Sequence, residues 1–171
     1  MTDKRIIDSF INKYHLGGNI ERIKWVSDNE SLSAKFINDS QNLVGKIKSK
    51  NFQFPVGEFG IYSTSTLSKL LGILENEVMF DINKEGGTPS KFIIGDTSMD
   101  ISFNLADPQV IPNVPAINKM EGNVEIELDE EFTTKFIKAK DAVGEEVFYI
   151  STRDGFTSKE VMFTIGNKST N

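Results

Sequence analysis

The sequence predicts an α+β fold in which antiparallel sheets carry short helices on one face. Three observations lead there: stretches of period-two alternation bounded by turn residues, three apolar stripes at helical spacing, and a similar order of elements on either side of a proline-rich segment. The 171 residues are 38% apolar and 26% charged, a balance that supports a packed core rather than a disordered chain. Thirteen Phe are spread along the chain, as expected when rings fill several sheet and helix contacts.

The first helix is predicted from about Asp3 to Tyr14. Ile6, Ile7, Phe10, Ile11 and Tyr14 recur at helical spacing, and Gly17-Gly18 stops the run. At about 100° per residue, Arg5, Asp8, Ser9 and Asn12 fall opposite that stripe, with Lys13 toward one edge. From Ile20 to Phe54 the period changes to two: Ile23 and Trp25 alternate with Arg22 and Lys24, and Lys46, Lys48 and Lys50 alternate with Ile47 and Ser49. Short antiparallel strands are predicted there, with turns near Ser27 to Glu30 and Asn38 to Asn42.

Glu58 to Tyr62 reads as a further strand. Ser65 is placed to cap a second helix carrying Leu67, Leu70, Leu71 and Leu74. Strands follow at about Val78 to Ile82, Phe92 to Ile94 and Met99 to Leu105. Four of the five prolines then fall between Pro89 and Pro115, three of them in Pro108 to Pro115. Proline fixes φ and lacks an N–H, so this segment is predicted to be an extended connector between domains.

Beyond it, Val124, Ile126 and Leu128 alternate with Glu125 and Glu127 as a strand. A third helix is predicted over Asp129 to Val143, with Phe132, Phe136, Ala139 and Val143 on its apolar stripe. Strands at about Val147 to Thr152 and Glu160 to Ile165 flank a turn at Arg153-Asp154-Gly155. The predicted division is 1–105 as an N-terminal domain, 106–119 as connector and 120–171 as a second, similar domain. With too few strands to cover its edges, the second is expected to be partial.

The composition excludes several chemistries. There is no Cys, hence no disulfide framework, thiolate nucleophile or cysteine-ligated metal, and a reducing compartment is expected. No apolar run approaches the roughly 18 residues of a membrane span, and no signal peptide is visible, so the expectation is a cytoplasmic protein without a membrane partner. The single His15 lies at a helix end, where a capping role is expected and a histidine-rich metal site is impossible. Asp96, Ser98 and Asp100 imitate the start of a calcium loop, but Ile101 stands where Gly is needed and Asp107 where Glu is needed. Gly45-Lys46-Ile47 lacks the rest of a phosphate loop. No catalytic residue, metal site or cofactor is predicted; a hydrolase using Asp96 and Asp100 has no further support in the sequence.

The runs Glu58-Phe59-Gly60-Ile61-Tyr62, Leu70-Leu71-Gly72-Ile73-Leu74 and Leu105-Ala106-Asp107-Pro108-Gln109-Val110-Ile111 together resemble the DNA polymerase sliding clamps of T-even-like phages. The match is most specific over about residues 57 to 111 and collinear but weaker on either side. The resemblance implies the DNA clamp fold and a homotrimeric ring of similar domains, with sheets outside and helices around duplex DNA held without sequence specificity. It also implies loading by a clamp-loader ATPase, with the replicative DNA polymerase and the viral late-transcription machinery as cargo, in the host cytoplasm.

Under that reading cations belong on the helices even though the formal charge is −6, because only an inner surface meets phosphate. Arg5 and Lys13 on the first helix, Lys69 on the second, and Lys135, Lys138 and Lys140 on the third are the expected DNA-facing residues. A lysine gradient that merely complements the helix dipole is the plainer account of the third helix. The Lys46, Lys48, Lys50 stripe is assigned instead to protection of an edge strand, and Phe52 and Phe54 to burial. Val110, Ile111, Pro112 and Val114 in the connector are the expected partner-binding residues; packing against the domains is the alternative. A non-enzymatic phage structural or scaffold protein, with lysines as solvated surface only, is the competing function.

Overall fold

Asp3 ends a two-residue strand and opens a helix. Its carboxylate accepts the backbone N–H of Arg5, which stands in for a missing helical partner in the first turn. The computed structural model describes residues 2–50, 54–75, 77–116, 125–155 and 159–166. The chain divides into two compact units, Met1–Lys119 and Met120–Asn171.

In the first unit the order is β1 (Thr2–Asp3), α1 (Lys4–His15), β2 (Ile23–Ser27), β3 (Ser31–Ile37), β4 (Val44–Lys50), β5 (Gly57–Ile61), α2 (Thr64–Leu71), β6 (Glu77–Glu85), β7 (Thr88–Gly95) and β8 (Asp100–Asn104). These strands form two antiparallel four-stranded sheets, ordered β4-β3-β2-β5 and β1-β6-β7-β8. Alternation does what it predicts in β2, where Ile23, Trp25 and Ser27 are buried while Lys24 and Val26 face outward.

Trp25 is the hub of the core. Its ring packs edge-on against Phe10 of α1 at 5.5 Å and Phe54 at 5.9 Å, and lies 6.1 Å from Phe92 of the other sheet. Phe54 also meets Phe59 and Phe80, tying both sheets together. Edge-to-face pairs of this kind add about 0.5–1.5 kcal/mol each beyond the area they bury. The indole N–H, fully buried, donates to the Tyr14 hydroxyl at 3.3 Å. Tyr14 in turn contacts the Thr64 hydroxyl, which donates to the Glu21 carbonyl at 3.0 Å. Every buried polar atom in the chain of contacts from β2 through α1 to α2 is therefore satisfied, as burial demands. Burial pushes the Tyr14 hydroxyl pKa well up, so it remains protonated and available as a donor.

Several expectations are corrected. Ile6 is 40% exposed rather than part of the α1 stripe, which is Ile7, Phe10, Ile11 and Tyr14. The α2 cap is Ser63, whose hydroxyl accepts from Thr66 N; Ser65 lies inside the first turn. The strand β1 is absent from the prediction because two residues carry no period; only pairing of Thr2 with Val78 and Asp3 with Glu77 defines it. Phe54 is buried as expected, while Phe52 lies outside the described residues.

The proline-rich segment belongs to the first unit. Ala106 pairs with Gly60 of β5, Pro108–Val110 forms one 3-10 turn capped by Asp107, and Ile111 is buried.

In the second unit, α3 (Glu130–Val143) precedes an antiparallel hairpin of β9 (Phe148–Asp154) and β10 (Lys159–Ile165). Asp129 caps α3 through the N–H of Phe132, and Gly144 closes it in the left-handed conformation. Phe132 and Phe136 pack on Phe163, and Phe136 on Phe148, at ring distances of 5.0 to 5.7 Å. The stripe predicted as core contacts the hairpin but is not enclosed: Phe132 stays 37% exposed. Two other expectations fail here. Glu125 to Leu128 form no strand despite their alternation, which needs a partner strand to become a ladder, and Val124 lies outside the described residues. Arg153 and Asp154 are paired strand residues rather than a turn.

Candidate nucleic-acid and partner interfaces

The predicted DNA-facing cations occupy unequal environments. Arg5, on the exposed pole of α1, is already engaged: its guanidinium forks onto the Asp3 carboxylate at 2.7 to 3.1 Å. That pair raises the Arg5 pKa and lowers that of Asp3, chiefly through the hydrogen bonds between them. Lys13 and Lys69 are exposed and have no ion-pair partner among the described residues. Lys4, a cation the sequence did not single out, donates to the Leu74 carbonyl at 3.0 Å and so ties the start of α1 to the chain just after α2.

On α3, Lys135 bridges Glu131 at 2.5 Å, one turn back. The helical period places Lys135 and Lys140 on opposite flanks of the Phe132–Phe136 stripe, with Lys138 turned away from it. The three lysines of α3 therefore do not share one face.

An open groove of about 530 Å³ runs between α1 and the edge strand β4, lined by Arg5, Lys13, Lys48 and Lys50 together with Ile6, Phe10 and Ile47. Lys48 and Lys50, expected to protect an edge strand, lie here beside the α1 cations. The fold brings their strand alongside α1, although alternation turns the two lysine side chains to the face opposite Ile47. Position alone would have needed the α1–β4 contact to be known, and nothing local in the sequence encodes it.

The second surface is a groove of about 410 Å³ between the segment Ile111 to Val114 and the outward face of β2, β3 and β4. Ile111 is 6% exposed and anchors the segment; Pro112 and Val114 form the wall, and Val26, Lys24, Lys35 and Lys46 the floor. Of the four partner-binding residues expected, three line the groove. Val110 does not: it ends the 3-10 turn and is 60% exposed. A second groove of about 400 Å³ on the other side of the segment shares Pro112, Asn113 and Val114 and adds Arg22, Ile37 and Asp39. Upstream of both, the segment is held to β5 at Gly60, where a Cβ would come within 2.4 Å of the Ala106 carbonyl.

His15, Glu21 and Ser65 converge across 50 residues of sequence. His15 Nε2 lies 3.1 Å from both Glu21 Oε1 and Ser65 Oγ, and the Ser65 hydroxyl and N–H both donate to Glu21. Both contacts fall on the same imidazole nitrogen, and the serine proton goes to the carboxylate, so the cluster ties α1 to the first turn of α2. Leu16, in the left-handed conformation, ends α1; His15 does not cap it as expected. Partial desolvation would raise the Glu21 pKa, but hydrogen bonds from Ser65 and His15 outweigh it and hold the carboxyl at about 2. Asp96 is likewise held well below the usual carboxylate range, by the Glu75 N–H and by Ser98 and Met99. It closes the β7–β8 turn. Among the described residues no group of three His, Asp or Glu is placed to hold a metal, and no helix is long and apolar enough to cross a membrane.

No protein-family model and no curated protein matches the sequence. Solved structures do match. The PCNA2-PCNA3 complex from Sulfolobus tokodaii aligns with a TM-score of 0.54 at 13% identity, over 95% of this chain and 70% of that one. PCNA from Thermococcus kodakaraensis gives 0.53 at 13% identity, over 95% and 70%. Proliferating cellular nuclear antigen from Entamoeba histolytica gives 0.52 at 13%, over 96% and 71%. At such identity the likeness is one of fold: this chain has the α+β DNA clamp fold, covering about 70% of those chains.

Proposed function

We propose that this chain is a DNA sliding clamp, a non-enzymatic processivity factor that encircles duplex DNA and tethers a replicative polymerase. The observation that carries the reading is the fold itself, which it has in common with solved clamps along nearly the whole of its length. Residues 1–105 and 120–171 act in this reading as two clamp domains on either side of the 106–119 connector. The functional unit is a homotrimer placed on DNA by a clamp-loader ATPase. The resemblance to T-even-like phage clamps supports a viral origin and a further role in late transcription.

The physical logic is confinement. A ring that cannot leave DNA except at an end keeps its cargo at high effective concentration without tight contacts. Contacts to phosphate are then weak, mobile and independent of sequence. The unpaired Lys13 and Lys69 suit such contacts better than Arg5 or Lys135, whose charges are partly compensated by Asp3 and Glu131. The groove beneath Pro112 and Val114 serves as the docking site for a hydrophobic anchor of the polymerase.

Light scattering of the purified chain tests the assembly. The homotrimer predicts about three times 19.1 kDa, and a species that stays at 19.1 kDa at all concentrations would contradict it.

A further inference from the structure

Two parts of the chain each lack what the other supplies. β4 is the end strand of its sheet, with β3 on one side and no strand on the other among the described residues, so one row of its backbone N–H and C=O groups is open to pairing. Its inward parity is incompletely covered as well. Gly45, Ile47 and Ser49 are only half-buried, and Ile47 lines the α1–β4 groove together with Phe10 and the 40% exposed Ile6. In the second unit, Glu125 to Asp129 precede α3, form no strand, and leave Ile126 39% and Leu128 49% exposed. Glu125, Glu127 and Asp129 take the other parity, so the segment has the alternation of a strand that packs on one face only.

We propose that residues 125–129 of one copy of this chain add to the open edge of β4 in a second copy as a further antiparallel strand, formed only on association. The inference rests on the self-assembly in the proposed function and names a contact that joins two copies. Every strand pairing among the described residues is antiparallel. In that sense, placing Glu127 opposite Lys48 sets Glu125 opposite Lys50, Asp129 opposite Lys46, Ile126 opposite Ser49 and Leu128 opposite Ile47. Leu128 and Ile126 then cover the apolar surface that Ile47 and Ile6 leave open. A slip of one residue would turn the carboxylates onto that surface instead, so the register is specified. The backbone ladder and the burial of Leu128 and Ile126 supply the attraction. The ion pairs are exposed and already solvated, and their part is to select the edge. Lysines along an edge strand discourage neutral and basic strands, whereas three carboxylates at the same spacing match them. Lys48 lies 3.9 Å from Asp28, and Lys46 and Lys50 have no ion-pair partner among the described residues. β8, at the end of the other sheet, exposes Asp100, Ser102 and Asn104 and offers no such match. Because the two surfaces are different patches, the contact is heterologous and repeats in one sense from copy to copy, as a ring requires.

Disulfide trapping with the full chain, which has no Cys of its own, tests this. A tagged chain carrying Ser49→Cys is mixed with an untagged chain carrying Ile126→Cys and oxidised. Each chain then has a single thiol, so a mixed disulfide always joins two copies. The mixed product, about twice 19.1 kDa on a non-reducing gel, is expected to exceed that of S49C with E127C about tenfold, because residue 127 points to the other face. Adding K48E/K50E to the tagged chain should cut the product about tenfold at low salt, and adding E125K/E127K to the untagged chain should restore it. Leu128→Ser, at an exposed position, should cut the product at every salt concentration while leaving the melting curve unchanged. Equal trapping through I126C and E127C would overturn the strand and its register. A product indifferent to L128S, or not restored by the charge exchange, would overturn the pairing. Light scattering separates this outcome from the reading beneath it. A trimer that persists undiminished in L128S removes the pairing and leaves the assembly standing, whereas a parent chain that is monomeric at every concentration removes both.

Discussion

Ala106 donates its backbone N–H to the carbonyl of Gly60 at 2.9 Å, and the Ala106 carbonyl lies where a Cβ on residue 60 would have to be. This close approach of two backbones holds the proline-rich segment against β5.

Gly60→Ala is therefore expected to cost about 1–3 kcal/mol, the range for forcing extra volume into a packed site. Urea denaturation measures the loss. A variant as stable as the parent would mean that the segment moves aside without cost.

Tyr14→Phe removes the acceptor for the Trp25 indole N–H while keeping the ring. Leaving that buried donor unpaired should cost about 1–3 kcal/mol in urea unfolding. The Thr64 hydroxyl keeps its bond to the Glu21 carbonyl and should not add to the loss.

Glu21 makes stability depend on pH in a defined window. Its folded pKa of about 2 lies below the ordinary 4.5, so the unfolded chain binds the proton more readily. The stabilisation is complete above about pH 4.5 and is lost as pH falls toward 2. Glu21→Gln should lower the melting temperature at pH 7 and flatten its fall between pH 5 and about 2. Equal slopes in the two proteins would show that other carboxylates, Asp96 among them, dominate.

Non-specific binding to duplex DNA should weaken with salt, and Lys13→Gln or Lys69→Gln should each reduce the slope of log affinity against log salt by about 0.9 if each contacts one phosphate. Arg5→Gln should change it less, because Asp3 already accepts the guanidinium. Binding measured at a series of salt concentrations checks both expectations.

What could be read from the sequence follows the reach of the interactions. The α1 and α2 stripes and the β2 alternation were legible because period and burial act within a few residues, as Ile7, Leu67 and Trp25 show. The two-residue β1 was not, since only β6 makes it a strand. In the groove beside the proline-rich segment, Pro112 and Val114 were recognisable as apolar residues unable to enter a sheet, whereas the place of Lys35 depends on the register that sets it between Lys24 and Lys46. Glu21 gave no local sign because the groups that define its role, His15 and Ser65, come from two different helices.

The tether is tested most directly by retention on DNA of two topologies. Chain placed on singly nicked circular DNA by a clamp-loader ATPase, then passed through a sizing column in high salt, should remain with the circles and be lost once a single cut makes them linear. Equal retention before and after the cut would contradict encirclement.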